Sequence, residues 1–151
     1  MDIMKLCRRN VVTIRPFEEL LDAAGLMRKS HVGYLVVTEP MLAEGGERPV
    51  GVLTDRDVVV RVLALGSDPR TLRVSDVMTH DPLTVRNSDS LKDALRSMRR
   101  IGVRRMPVVG HRGQLFGLLS LDEVIDALAG TLSDVAGSIV TELRAEAALR
   151  L

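Results

Sequence analysis

The apolar positions of this chain change from one period to another, and the change recurs. Val11 to Ile14 is short and β-branched, which predicts an extended segment, and polar positions from Pro16 follow it. Leu20, Ala23, Ala24 and Met27 then fall on one face of a helix. Tyr34 to Val37 reads as a strand, Glu44-Gly-Gly-Glu-Arg-Pro as a turn, and Val50 to Leu53 as the returning arm of a hairpin. A second helix is predicted from near Asp55 through Val58, Val59, Val62 and Leu63. The series then starts again. Leu83 to Val85 is extended, Asn87 to Ser90 is polar, and Leu91, Ala94, Leu95 and Met98 repeat the helical spacing. Met106 to Val109 and Leu115 to Leu119 form a hairpin across Gly110-His-Arg-Gly, and a helix from near Leu121 carries Val124, Ile125 and Leu128.

The two series are copies of one unit. A shift of 71 positions lays Thr13 on Thr84, Arg15 on Arg86, Leu20 on Leu91, Asp22 on Asp93, Ala23 on Ala94, Met27 on Met98, Arg28 on Arg99, Val32 on Val103 and Val37 on Val108. Composition alone would give roughly one or two identities in a window of that length. Beyond the hairpin turn the shift falls to 66, aligning Gly51-Val-Leu-Thr-Asp with Gly117-Leu-Leu-Ser-Leu. Each unit is β-α-β-β-α over about 60 residues, too few to bury a good core alone. The expectation is a mixed α+β (α/β) fold in which the two units pack about a pseudo-twofold axis.

After Gly130 the chain offers Thr131-Leu-Ser-Asp, a helix-cap signature, and then Leu132, Val135, Ala136, Ile139, Val140 and Leu143 at helical spacing. This predicts an extra C-terminal amphipathic helix whose apolar stripe needs cover, either from its own module or across a homodimer.

Composition narrows the function. With 21 basic and 20 acidic residues the charge is nearly balanced, so neither nucleic acid nor an anionic membrane surface is favoured. Phe17, Tyr34 and Phe116 are the only aromatic residues, leaving almost nothing for stacking on single-stranded bases. The apolar stretch around Val58 to Leu65 is broken by Arg61 and falls far short of the roughly 20 residues of a spanning helix, so no membrane span is expected. A single cysteine, Cys7, and the lack of a signal-like start point to the cytoplasm. His31, His80 and His111 have no metal-ligand spacing, and neither a glycine-rich phosphate loop nor a nucleophile elbow is present. No catalytic residue, metal or required cofactor is therefore expected.

The strings Val77-Met-Thr-His-Asp-Pro-Leu-Thr-Val, Leu91 to Met98, Gly102-Val-Arg-Arg-Met-Pro-Val-Val and Gly117-Leu-Leu-Ser, in that order, resemble the CBS domain family, named after cystathionine β-synthase. The first copy is looser, with Leu6-Cys-Arg-Arg-Asn at the start and no proline matching Pro107. The resemblance divides the chain into a CBS repeat over 1–66, a linker over 67–74, a second repeat over 75–129 and the C-terminal helix over 130–151. It implies a free-standing regulatory module whose cleft binds an adenosine-containing ligand such as AMP, ADP, ATP, NAD(H) or S-adenosylmethionine and informs an effector protein. The alternative is an architectural dimer with degenerate, ligand-free clefts.

By the same resemblance, Thr54 and Asp57 of the first copy are the hydroxyl and carboxylate that meet a ribose. A carboxylate accepts from both ribose hydroxyls; the same spacing is also a helix capping box. Ser120 and Glu123 are their counterparts, and glutamate in place of aspartate ranks the second subsite below the first. Thr13 and Thr84 fall where the family uses a hydroxyl near phosphate or sugar, or are merely β-prone residues in strands. Around the base the expected lining is His31, Val32, Gly33, Tyr34 and Leu35 of one copy and Val103, Arg104, Arg105, Met106 and Pro107 of the other, the apolar ones being equally suited to the core. The basic cluster of Arg99, Arg100, Arg104 and Arg105 suits ligand phosphates or a solvated face.

Overall fold

Each copy builds a small sheet that is completed by chain from the other copy. The structure is a computed structural model that describes residues 1–43 and 45–150, and it divides into two units, Met1–Leu119 and Ser120–Leu151. In the first unit the order is α1 (Ile3–Leu6), β1 (Thr13–Ile14), α2 (Leu20–Ser30), β2 (Tyr34–Pro40), β3 (Glu47–Thr54) and α3 (Asp55–Val58). A π-helical turn (Val59–Leu63) and a 3-10 turn (Pro69–Thr71) lead to α4 (Val74–Val77), β4 (Thr79–His80), β5 (Val85–Arg86), α5 (Leu91–Ile101), β6 (Arg105–Val109) and β7 (Leu115–Ser120). The mixed α/β architecture with two sheets is the one the repeat predicts. The sheets run β1-β2-β3-β4 and β5-β6-β7, with β1 parallel to β2 and β5 parallel to β6. Sequence patterning overstated the opening strands, which are two residues each, and missed α1 and α4, whose four residues are too short for a helical period to register.

The exchange between copies is reciprocal. β4 opens the second copy but pairs antiparallel with β3 of the first, Gly51 opposite His80 and Val52 opposite Thr79. Arg8, which opens the first copy, bridges Leu118 in β7 of the second through two 2.9 Å backbone hydrogen bonds. The shifts of 71 and 66 convert one pairing into the other. Each contact sits on a glycine: a Cβ on Gly51 would lie 2.5 Å from the sulfur of Met78, and one on Gly117 would lie 2.7 Å from the carbonyl oxygen of Arg8 and 2.9 Å from the sulfur of Cys7. The Arg9 guanidinium covers the Phe116 ring at 3.5 Å, adding a cation–π contact to this seam. The same exchange runs through the core, where Leu20, Ala23, Met27, Leu35 and Leu53 of the first copy pack with Val74, Val77 and Met78 from the start of the second.

Two further devices set the local geometry. α2 and α5 both end on a residue in the left-handed region, His31 at φ 54° and Gly102 at φ 77°, a conformation that costs a non-glycine residue about 1 kcal/mol. At the bulge between Val37 and Thr38, the buried Thr38 hydroxyl accepts from Arg15 at 3.1 Å and donates to Glu47 at 3.0 Å, while Arg15 pairs with Glu47 at 2.5 Å. Among the described residues no buried side-chain nitrogen or oxygen lacks a hydrogen-bond partner.

The second unit is one helix, α6 (Leu121–Leu149), of 29 residues. Where the sequence reading closed a helix at Leu128 and opened another after Gly130, the helix continues. Thr131 does not cap; its hydroxyl donates to the Ala127 carbonyl one turn back at 3.0 Å, as Ser138 and Thr141 do to Asp134 and Gly137. A glycine inside a helix costs about 1 kcal/mol, which a run of this length absorbs. By length and composition α6 is also apolar enough to cross a membrane, with a mean hydropathy of 1.3 over 18 residues. The expectation of no span rested on the Val58 to Leu65 stretch and overlooked this one.

The glycine contacts generate a test. Gly117→Ala must displace backbone, whereas Gly51→Ala meets only the flexible end of Met78. The first is expected to lower unfolding free energy by about 2–3 kcal/mol and the second by about 1 kcal/mol or less in urea titrations; equal losses would remove the glycine contacts as the reason for these residues.

Candidate functional site

β2, β3 and α3 of the first copy and α5 and β6 of the second surround a cavity of about 460 Å³. Its wall includes seven of the residues expected from sequence, Gly33, Tyr34, Thr54, Asp57, Val103, Arg104 and Arg105. Val52, Asp55, Arg56, Thr79, Pro82, Leu83, Ile101 and Gly102 complete it. The tetrad Thr54-Asp-Arg-Asp contains two of these additions. Thr79 and Pro82 enter through the sheet exchange, which has no sequence signature beyond the repeat itself.

Thr54 ends β3 and opens α3, and the capping box is complete. Its hydroxyl accepts from the Asp57 N–H at 3.1 Å, and the Asp57 Oδ2 accepts from the Thr54 N–H at 2.9 Å. Asp57 Oδ1 faces the Arg61 Nε at 3.6 Å. The capping and the cavity-lining readings of this pair therefore both hold. Asp55 closes the floor: its N–H donates to the Gly33 carbonyl at 3.1 Å, and its carboxylate lies over Gly33 so closely that a Cβ there would fall 2.5 Å from Oδ2. A larger residue at 33 would have to displace the Asp55 carboxylate. The wall thus carries two carboxylates and the guanidinium groups of Arg56, Arg104 and Arg105 beside apolar Val52, Leu83, Ile101 and Val103. Such a lining suits a ligand with an apolar ring, hydroxyls and an anionic end.

The other expected residues lie elsewhere. Leu35 and Met106 are 0% and 1% exposed, so their side chains belong to the core, as do those of their neighbours in these continuously buried strands, Pro107 among them. His31 is the exposed cap of α2 and Val32 packs on the core. Thr84 borders a separate cavity of about 80 Å³ with Asp89, Asp93 and Ser97, and Thr13 is half-buried in β1, paired with β2. Ser120 and Glu123 open α6, and here the expectation is reversed. The capping box that the Ser120–Glu123 spacing suggests is not formed: the Ser120 hydroxyl donates to the Glu123 carboxylate and makes no cap to the helix backbone. The longer side chain folds back onto the hydroxyl. Among the described residues no cluster of three or more His, Cys, Asp or Glu has the makings of a metal site.

Similarity to known proteins agrees with this geometry. The sequence model of the CBS domain matches residues 2–64 and 74–130. The CBS domain-containing protein YhcV of Bacillus subtilis is 32% identical over 133 residues, 88% of either chain. A CBS domain protein from Pyrobaculum aerophilum, solved in complex with AMP, aligns with a TM-score of 0.71 at 28% identity, covering 82% of this chain and 89% of that one. A hexameric CBS-CP12 protein from bloom-forming cyanobacteria aligns with a TM-score of 0.69 at 29% identity, covering 83% of this chain and 69% of that one.

Tyr34, the only tyrosine, reports on the cavity wall. Burial pushes its hydroxyl well above the ordinary value of 10.0, Arg105 pulls it down and the nearby Asp57 adds to the rise. Below pH 10 both folded and unfolded chains keep the proton and stability is constant; above it the unfolded chain ionises first, and stability falls. A phenolate absorbance titration is expected to show ionisation only as the protein unfolds, whereas reversible ionisation near pH 10 in the folded state would place Tyr34 in solvent.

Proposed function

The chain belongs to the CBS domain family, and from that premise we propose that the cavity beside Thr54 and Asp57 binds an adenine nucleotide, AMP first among the candidates, and that its occupancy is read by a partner protein. The observation that supports this is the meeting of Asp57 with Arg56, Arg104 and Arg105 around one apolar-walled cavity. In this reading the carboxylate accepts from the ribose hydroxyls, Ile101 and Val103 flank the base, and guanidinium groups face the phosphate. The module senses and does not transform its ligand, which is released as it entered. A ligand shifts such a module only by binding two states unequally.

The exposed face of α6 favours self-association as the second element of the function. Ile125, Leu128, Leu132, Val135 and Ile139 are all exposed and follow each other at intervals of three and four, the seam of a two-stranded coiled coil. We propose that this chain forms a homodimer through that seam. The cytoplasmic setting expected from Cys7 fits a nucleotide sensor.

Two measurements follow. AMP at a hundred times its dissociation constant adds about 2.7 kcal/mol to the folded state, which raises the melting temperature by about 5–10 °C; Asp57→Asn is expected to weaken binding about tenfold. No shift with AMP, ADP, ATP, NAD(H) or S-adenosylmethionine would favour an architectural module. Light scattering of Leu132→Glu/Ile139→Glu is expected to give a monomer from a dimeric parent, and an unchanged mass would reject the α6 seam.

A further inference from the structure

Asp57 is not left to find its own rotamer. Oδ2 is committed to the Thr54 N–H, and Oδ1 faces Arg61, one helical turn on and half-exposed. Arg61 does not stop there. Its Nη1 donates to the Val77 carbonyl at 3.0 Å, the last carbonyl of α4 and two residues before Thr79, which lines the cavity. A planar guanidinium presents donors in a fixed fork, so one side chain spans the carboxylate on α3 and the segment that carries the second copy into the first sheet. The reach crosses the π-helical turn Val59–Leu63, a local widening that is uncommon in helices and recurs at functional sites. The second copy has nothing equivalent: shifted by 66, Arg61 falls on Ala127 and Asp57 on Glu123. The copy that keeps the shorter carboxylate is the one that keeps the cation to steer it.

We infer that Arg61 is a positioning residue for ribose recognition: it aims the Asp57 carboxylate into the cavity and couples it, through Val77, to the β4 segment of the other copy. This rests on the nucleotide reading above. With Arg61 in place Oδ1 is held by one partner and turns its remaining lone pair to the cavity. Without it the carboxylate keeps the cap at Oδ2 but is free to rotate toward solvent, and the ribose hydroxyls must order it on binding.

Calorimetric titration of the full chain with AMP and with its 2′,3′-dideoxy analogue tests this, because only AMP offers the hydroxyls Asp57 would accept from. Wild-type protein is expected to prefer AMP. Arg61→Gln is expected to weaken AMP about tenfold and leave the dideoxy analogue within twofold, removing the preference. Arg61→Lys, which keeps the cation without the fork, is expected to fall between. AMP affinity unchanged in Arg61→Gln overturns the role, and so does an equal loss for both ligands, which is what a merely structural residue would give. Wild-type protein that binds neither ligand overturns the nucleotide reading, and the role of Arg61 with it.

Discussion

The reciprocal strand exchange is the constraint on which the first unit depends. Neither copy's sheet is complete within its own residues: β4 closes the sheet of the first copy, and the bridge at Arg8 extends that of the second. Backbone groups along a sheet edge need partners, and here each copy supplies the other's. The core follows the same path, since Val74, Val77 and Met78 fill space among first-copy residues. Glycine at 117 allows the close approach of the Arg8 backbone, while at 51 only the flexible end of Met78 comes near. The cavity is a by-product of this exchange. Thr79, Pro82 and Leu83 reach its wall because β4 lies beside β3, facing Thr54 and Asp57 at the strand's end.

The helix cap and the cavity wall share residues at that strand end. A capping box needs a hydroxyl acceptor and a carboxylate three residues apart, and ribose recognition calls for the same two groups in reach of solvent. The Thr54 hydroxyl spends one acceptor site on the Asp57 N–H, and Asp57 Oδ2 spends one on the Thr54 N–H. Both oxygens keep further lone pairs, so the cap orders the groups without exhausting them. Preorganisation of this kind lowers the ordering that a ligand must impose. The cap is therefore compatible with the ligand contact proposed for this pair, since it leaves acceptor sites on both oxygens.

How much was legible in the chain depends on the range of the interaction concerned. Nine identities at a shift of 71 expose the repeat, its β-α-β-β-α order and its twofold relation, because helix and hairpin periodicities are local. Thr54, Asp57, Gly33 and Tyr34 were expected because the family resemblance marks their positions, and all four line the cavity. Thr79, Pro82 and Leu83 were not, since their place in the wall depends on a crossing between copies that pairs two residues and leaves no period. Leu35 and Met106 show the converse. They neighbour true wall residues in sequence, but β2 and β6 are buried continuously from Leu35 to Thr38 and from Met106 to Val109, and both side chains end in the core. At Gly130 a local rule failed outright, because the interior of a long helix absorbs the roughly 1 kcal/mol cost of a glycine, and α6 holds two, Gly130 and Gly137.

The two copies have diverged at the helix that follows the cap, and the connection after it explains why. After Thr54 the chain has to leave the first copy and reach α4, so the helix is brief: four α-helical residues, a π-helical turn, and then Gly66 in the left-handed region at φ 70°. Arg61 sits in that turn and bonds to the end of α4, which makes the crossing itself part of the carboxylate's support. After Ser120 no short helix and strand corresponding to α4 and β4 follow among the described residues. Nothing stops the helix, and α6 runs on to Leu149 with alanine where the first copy has Arg61. One duplicated element thus takes two forms: a short helix and π-helical turn whose carboxylate meets Arg61, and a long helix with an apolar seam.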